Sequence, residues 1–428
     1  MSALGSDRPG RSPDPAEAWA ASGMMALTGR SDGPGLAAPS GLVARATGLA
    51  GDIARRSERL GRPVVVDPLA LMAERAAMTG LRRLGTVSCG GASHLMPTSD
   101  GWVAATLARP TDWELVPALL DLDPSAADGW PALHAAVATR PGQELRERAE
   151  LLGLPLAVLG ERRPPPGLLP GPAGNVHGIR SRRVRSAPSV ATCSGLVVAD
   201  LSALWAGPLV GRLLVEAGAQ VIKVESPTRI DGARRGDPRF HSVMNSGKAT
   251  VAIDFGTAQG RELLVRLVSR VDVVITASRP RALEQLGLDP ERMVGYERPR
   301  LWLMISGYGS AGASAHRVAF GDDAAVAGGL VSWDGSTPCF CGDAAADPLC
   351  GLAATSAALE ALGSDGAWVI DASMADIAAG MAGPETEAAG PAFPPPGQSP
   401  RPELGPTAPP VPPLGSDTAA VLRQLGIG

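Results

Sequence analysis

Carboxylates set among glycine and proline are the residues of this chain best placed to do chemistry. Asp347 stands in "GDAAADPLCGLAATSAALEAL", four residues before Gly351, with Asp343 just upstream. Asp322 and Asp323 stand together in "AFGDDAAVAGG". An aspartate can attack a carbonyl and carry an acyl group, or move protons if its pKa is raised. A plainer reading exists for each. Asp followed by Pro before an Ala/Leu-rich run is a helix N-cap and its first residue. Asp322 and Asp323 can equally cap the next helix. Cys339, Cys341 and Cys350 cluster, but no histidine or second close pair completes a metal site, so no metal is expected. Cys89, in "SCGGAS", has no neighbouring base to activate it.

Elements that could position these residues follow from the apolar pattern. "VVADLSALWAGPLVGRLLVEAGAQVIKVESP" (197–227) reads strand, loop, helix, strand. Pro208 suits a first helical turn and Gly218 a helix stop. A βαβ unit of this kind makes parallel strands with a ligand crevice at their carboxyl ends. The loop lacks GxGxxG, so a nicotinamide fingerprint is absent. "ATVAIDF", "VDVVIT", "RLWLMISG" and "AWVIDAS" are further strands, and "QGRELLVRLVSR" is the plainest crossover helix. The alternation predicts an α/β fold with a mostly parallel, Rossmann-like open sheet over residues 192–383.

A smaller α+β domain is expected before it, at 85–160, with "GWVAATLA" as its strand and "DWELVPALLDL" and "WPALHAAVATR" as helices. Residues 1–18 read as disordered, and 19–84 as helical around a short strand at Pro63–Asp67. Residues 161–191 read as a Pro/Gly/Arg linker without a packed element. Residues 384–428 read as a Pro-rich tail with one terminal helix, capped by Ser416 or Asp417.

Composition narrows the function classes. The 39 basic and 43 acidic residues of the 428 leave no electrostatic footprint for nucleic acid, and 4% aromatic content leaves little base-stacking surface. Five cysteines do not make a disulfide framework. No apolar run is long enough to span a membrane, and the polar start is not a signal peptide, so a soluble cytoplasmic protein is expected.

One internal similarity stands out. "GMMALTGRSDGP" (23–34) parallels "GGLVSWDGSTP" (328–338), and "GRPVVVDPLALMAERAA" (61–77) parallels "DGAWVIDASMADIAAG" (365–380). Asp67 then corresponds to Asp371. Between these landmarks the second copy holds Asp347, while the first holds "APSGLVARATG", without an acid.

The motifs from Asp200 onward resemble family III CoA-transferases, a group that includes formyl-CoA and carnitine CoA-transferases and, as a relative, α-methylacyl-CoA racemase. "DLSALWAGPLVGRLLVEAGAQVIKVE" resembles the family's opening signature. "NSGKATVAIDF" resembles its Asn-Arg-Gly-Lys segment, with Ser246 where Arg is usual. "VDVVITASRPRALEQLGL" and "ISGYGSAG" follow in family order. Residues 85–160 resemble the family's small domain but precede the α/β domain, so the order is permuted, as in the relic of a tandem pair.

The resemblance implies an acyl-CoA:carboxylate CoA-transferase with Asp347 as nucleophile, working through a mixed anhydride and an enzyme–CoA thioester. CoA is then substrate, with no permanently bound cofactor, and a carboxylic acid is the acceptor. It implies CoA contacts at Trp205, Ala206, Ser226, Ile253, Asp254, Phe255, Gly256, Ala277, Ser278 and Arg279, with Asp322 and Asp323 lining the acyl pocket. Ser226 replaces a phosphate-binding Arg found in some members, so Arg229, Arg234, Lys248 or Arg279 would supply positive charge. Gly90 and Gly91 would belong to a mobile shielding loop. A homodimer is expected, with the tail packed on the other subunit. Two alternatives remain open: a racemase-like enzyme, although Asp322 stands where the racemase has a His, and a non-catalytic paralogue that binds acyl-CoA or a partner.

Overall fold

The computed structural model describes residues 14–123, 129–163, 176–383, 400–405 and 408–427. The chain begins with α1 (Pro15–Ala21), α2 (Leu42–Arg59) and α3 (Pro68–Thr79). α1 starts inside the stretch expected to be disordered. Asp14 caps it and Trp19 anchors it with complete burial. In α2 the apolar residues Leu42, Val43, Ala46, Leu49, Ala50 and Ile53 recur at helical spacing and are all buried. Pro63–Asp67 forms no strand. The valines favour extended backbone, but no neighbouring strand offers a ladder there, and Asp67 instead caps α3 through Leu69 and Ala70 N–H.

Next comes a three-stranded antiparallel sheet of β1 (Ser93–Pro97), β2 (Trp102–Thr106) and β3 (Leu156–Val158). Between β2 and β3 lie α4 (Pro110–Glu114), α5 (Val116–Leu120), α6 (Gly129–Val137) and α7 (Gly142–Leu152). This unit has its own apolar cluster around Val103, Leu119, Leu133 and Leu145.

The main sheet contains β4 (Ile179–Arg185), β5 (Val197–Asp200), β6 (Gln220–Glu225), β7 (Ala249–Ala252), β8 (Val273–Thr276), β9 (Leu301–Ser306) and β12 (Ala367–Ser373), the last preceded by a small hairpin of β10 (Val331–Asp334) and β11 (Thr337–Phe340). Its order is β4-β12-β9-β8-β5-β6-β7, parallel except for β4. The helices are α8 (Ala206–Glu216), α9 (Pro238–Asn245), α10 (Ala258–Val268), α11 (Pro280–Gln285), α12 (Pro290–Gly295), α13 (Gly321–Ala327), α14 (Ala346–Leu362), α15 (Met374–Ala382) and α16 (Thr418–Gln424). From β5 the order runs outward in one direction through β6 and β7, and in the other through β8, β9 and β12. The β5/β8 junction is therefore the switch point where an open sheet binds ligands.

One feature differs from the sequence expectation. β4 lies within the supposed linker, whose residues 164–175 fall outside the described ones. "IRSRRVR" has no buried face, so it carries no apolar signal, yet its backbone pairs with β12 from Ile179 to Arg185. Within the single chain the terminal segment packs on β7. Asp417 N–H donates to Thr250 O, Asp417 Oδ2 accepts from Thr250 N–H, and Thr418 Oγ1 accepts from Ala252 N–H, all on β7. Residues 384–399 of the tail lie outside the described residues. Among the described residues, no helix is long and apolar enough to cross a membrane.

α14 sits at the centre of the molecule. Its small residues allow close approach on every side, with α8 against one face and α2 against another. Gly351 faces Ala206 O and Leu209 so closely that a Cβ would overlap them. The N-terminal helices and the α/β layer thus share one apolar core, in which Trp19, Ile53 and Met72 join Leu209, Leu349 and Ile370.

Candidate active site

Two cavities adjoin at the carboxyl ends of the strands. The first, of about 450 Å³, is lined by the residues that follow β5, β6, β7 and β8, among them Ser202, Ser226, Phe255, Gly256, Ala277 and Ser278. The second, of about 370 Å³, is lined by Trp205, Phe240, Phe320, Gly321, Asp322, Ala344 and Asp347, together with Arg75, Ser88 and Ser93 from the N-terminal part. The 201–205 loop and the 228–233 segment pass from one lining into the other. A larger cavity of about 790 Å³ includes Val197, the first residue of β5. It lies at the amino end of the strand, where open parallel sheets do not hold ligands.

A buried ionic network fixes the loop between the two cavities. Lys248 Nζ donates to Asp200 Oδ2 (2.8 Å), Pro208 O (2.8 Å) and Asn245 Oδ1 (3.0 Å), tying the first turn of α8 to β5. Lys223 pairs with Asp231 at 2.9 Å and donates to Ser202 O. Burial works against ionisation of Asp200, but Lys248 and Lys223 outweigh it and hold the carboxyl at about 2. Burial pushes the Lys248 ammonium down to about 8 against the attraction of Asp200. Asp231 Oδ1 accepts from Leu204 N–H, which holds Leu204 at φ 70°, a costly conformation for a branched residue. Arg234 is spent on Glu225, with contacts of 2.6–3.1 Å. Lys248 and Arg234 are therefore scaffold rather than free phosphate ligands. Arg229 and Arg261 do line the first cavity.

Asp347 is the second residue of α14, with Ala345 at the N-cap position, so it does not cap its own helix as the Asp-Pro pattern suggested. Its half-buried side chain faces Gly321, where a Cβ would overlap Oδ2, and accepts from the N–H of Ala206, the first residue of α8. Burial is the largest influence and pushes the carboxyl up to about 7; Arg75 and the Ala206 N–H oppose this, and Asp322 and Asp343 add to it. Arg75 clasps Asp343 with two hydrogen bonds, Nε to Oδ2 at 2.7 Å and Nη2 to Oδ1 at 2.5 Å, and its guanidinium lies 5.5 Å from the centre of the Trp205 ring. Asp322 accepts from Ser93 Oγ (2.8 Å) and Ala344 N–H (2.9 Å), and burial raises its pKa. Ala344 is the second strained residue beside the site, at φ 46°.

Of the residues expected at the site, the structure brings together Asp347, Trp205 and Asp322 in one cavity, and Ser226, Phe255, Gly256, Ala277 and Ser278 in the other. Ala206 contributes its backbone. Four others lie elsewhere. Ile253 is 2% exposed and belongs to the core under β7. Asp254 turns onto the N–H of Gly256. Arg279 is exposed and donates to His316 O at 3.3 Å. Asp323 is wholly buried: Oδ1 accepts from Phe320 N–H and Thr106 Oγ, and Oδ2 has no partner among the described residues. Burial drives its carboxyl to about 7. Asp323 shapes the turn into α13 rather than lining a cavity. In the 88–93 loop, Ser88 N–H donates to Ser93 O and Gly91 N–H to Ser88 O, so the loop is a closed turn at the cavity rim. Cys89 beneath it is buried, and burial raises its thiol well above the usual range. Arg75 and Arg261 were not singled out from the sequence.

A family model described as CoA-transferase family III matches residues 193–416. The chain belongs to CoA-transferase family III. Curated relatives of this CoA-transferase family member include a succinyl-CoA–D-citramalate CoA-transferase of Chloroflexus aurantiacus, 35% identical over 175 residues, which are 39% of this chain and 43% of the relative. A succinate–glutarate CoA-transferase of Agrobacterium fabrum is 31% identical over 185 residues, 40% of this chain and 46% of the relative. The chain thus spans less than half the length of these two family members. Among solved structures, a CAIB/BAIF family protein from Brucella suis is similar at 32% identity and a TM-score of 0.40, covering 44% of this chain and 54% of that one.

Proposed function

We propose that this chain is an acyl-CoA:carboxylate CoA-transferase in which Asp347 is the nucleophile. The adenine and pantetheine of CoA would lie in the β5/β8 crevice, with Arg229 and Arg261 near the phosphates, and the thioester would enter the second cavity past Trp205. The Asp347 carboxylate attacks the thioester carbonyl; the C–S bond breaks, leaving a mixed anhydride and CoA thiolate. The thiolate then attacks the aspartyl carbonyl carbon, expelling the donor as a free carboxylate and leaving an aspartyl–CoA thioester. An acceptor carboxylate runs the two steps in reverse and restores Asp347. Thioester is exchanged for thioester, so neither ATP nor a metal is required. Covalent catalysis of this kind splits one difficult transfer into easier ones.

The observation that carries this reading is the placement of the Asp347 carboxylate, half-buried, at the inner end of the cavity that adjoins the CoA crevice. A carboxyl near 7 is a more basic nucleophile than an ordinary aspartate, yet substantially ionised at neutral pH. The N–H of Ala206, at the start of α8, supports the anion. The test is intact-protein mass after incubation with a panel of acyl-CoAs, followed by hydroxylamine or borohydride trapping. A CoA-sized adduct that disappears in Asp347→Ala is expected. Persistence of the adduct in that variant removes Asp347 from the mechanism.

A further inference from the structure

The two copies seen in the sequence occupy related positions in the structure. With the offset of 304 residues that carries Asp67 onto Asp371, α2 falls on α14: Leu42 on Ala346, and Arg59 on Gly363, one residue past the helix end. α3 and α15 follow their respective aspartate landmarks. In the first copy Leu36 N–H donates to Thr28 O at 3.0 Å, where the second copy has the β10–β11 hairpin.

The contacts between the copies are reciprocal. Thr28 forms a backbone bridge with Cys341. The same offset turns this pair into Ser332 with Ala37, and Ser332 Oγ donates to Ala37 O at 2.8 Å. α2 packs on α15, and α14 packs on α3. Arg56 falls on Glu360, and these two residues form an ion pair at 2.9 Å. A pair that maps onto itself lies on a two-fold axis, and reciprocal pairs around it define an isologous contact. Two unrelated helices packed together have no reason to show either.

The copies differ where the chemistry lies. Val43 stands at the position of Asp347, and Ala379 at the position of Arg75. One copy brings the carboxylate and the other brings the arginine beside it.

We propose that residues 23–79 are an internal half-copy of 328–382, paired with it about a pseudo-two-fold axis at Arg56–Glu360, and that this half-copy completes a single site in cis by delivering Arg75. The α14 face that a two-fold partner would need is covered by α2 of the same chain, so no second copy of the chain docks there. The pairing that a two-fold partner would make at α14 is then made inside one chain. Arg75 is a positioning residue: it holds Asp343, covers Trp205 and sets the charge around Asp347. The groups that face Asp347 are Arg75 from α3, Asp322 from α13, Asp343 ahead of α14, the Ala206 N–H of α8 and Cys350 one turn on. The role of Arg75 rests on the CoA-transferase reading; the pairing of the copies does not.

Disulfide trapping tests the pairing without activity. Thr28→Cys in a Cys89→Ser background should oxidise to a bond with Cys341 inside one chain, seen by non-reducing electrophoresis and peptide mass. Ala37→Cys with Ser332→Cys, in a Cys339→Ser, Cys341→Ser background that removes both thiols beside Ser332, should give the reciprocal bond, again within one chain. Bonds joining two chains overturn the cis arrangement. Failure of either bond under oxidation overturns the pseudo-symmetry. For the arginine, Arg75→Gln should move the acid limb of the pH dependence of adduct formation upward by about one unit, since an opposing charge is lost, and Arg75→Lys should restore most of it. A slower reaction with an unmoved limb overturns the positioning role while leaving the transferase reading intact.

Discussion

Replacing Asp347 by Asn is expected to stop the chemistry and to stabilise the fold, with a gain that depends on pH in one direction. The Asp347 carboxyl titrates at about 7 in the folded chain and near 3.9 when unfolded. Its folded pKa is raised, so ionisation works against folding. Below about pH 4 the group is protonated in both states and costs nothing. Between about pH 4 and 7 the unfolded chain ionises first, folding must take up a proton, and stability falls. Above 7 the loss levels off at roughly 4 kcal/mol, three units at about 1.36 kcal/mol each. Asn has nearly the same shape, keeps an oxygen for the Ala206 N–H, and does not titrate. The Asn variant should therefore match the native chain near pH 4 and exceed it by a few kcal/mol at pH 8. Asp322 remains in both proteins, so most of its own titration cancels. Urea unfolding followed by tryptophan fluorescence at four pH values between 4.5 and 8 measures the difference. A gain that is the same at every pH, or a loss that grows with pH, refutes a raised Asp347.

Four more expectations concern the surrounding residues. Lys248→Met should cost about 3–5 kcal/mol in chemical denaturation, because it weakens the compensation of a fully buried Asp200; a near-neutral result would return Lys248 to the list of ligand contacts. Arg229→Ala should weaken CoA binding by about three- to tenfold in calorimetry, more at low salt, and leave the melting temperature alone, as exposed charge contacts do. Gly321→Ala should abolish adduct formation while CoA still binds, since the added methyl overlaps Asp347 Oδ2; a normal adduct would show that the carboxylate reacts from another position. With a 2-methylacyl-CoA in heavy water, no α-deuterium uptake is expected by mass, because Asp322 is held by Ser93 and Ala344; rapid exchange would favour racemase chemistry.

The parallel strands were legible because their faces are buried on both sides and read as continuous apolar runs: Val197–Asp200 and Gln220–Glu225 form where the residues put them. β4 was not legible, because an edge strand with both faces polar has no apolar signature and is defined only by its partner β12. Pro63–Asp67 failed in the opposite sense, with local β character and no partner. At the site, Asp347 and the crevice residues could be found through motifs that are continuous in sequence. Arg75 lies 268 residues from Asp343, and only the three-dimensional pairing of the copies brings them together. Lys248 was visible as a charge, but its burial was not, and burial turns a phosphate candidate into a tether for α8.

The two borders of the main sheet are closed in different ways, and this bears on the chain's behaviour in a crowded solution. A sheet border with free N–H and C=O groups is a template for adding strands from other molecules. On one border β4 carries Arg180, Arg182, Arg183 and Arg185, and an approaching copy would meet its own positive charges across the gap. On the other border, residues 415–427 take up the N–H groups of Thr250 and Ala252 that β7 would otherwise present. Removing the terminal segment would strip that cover from a strand of four residues with no charge of its own, and self-association should then begin from β7 at protein concentrations where the intact chain stays dispersed.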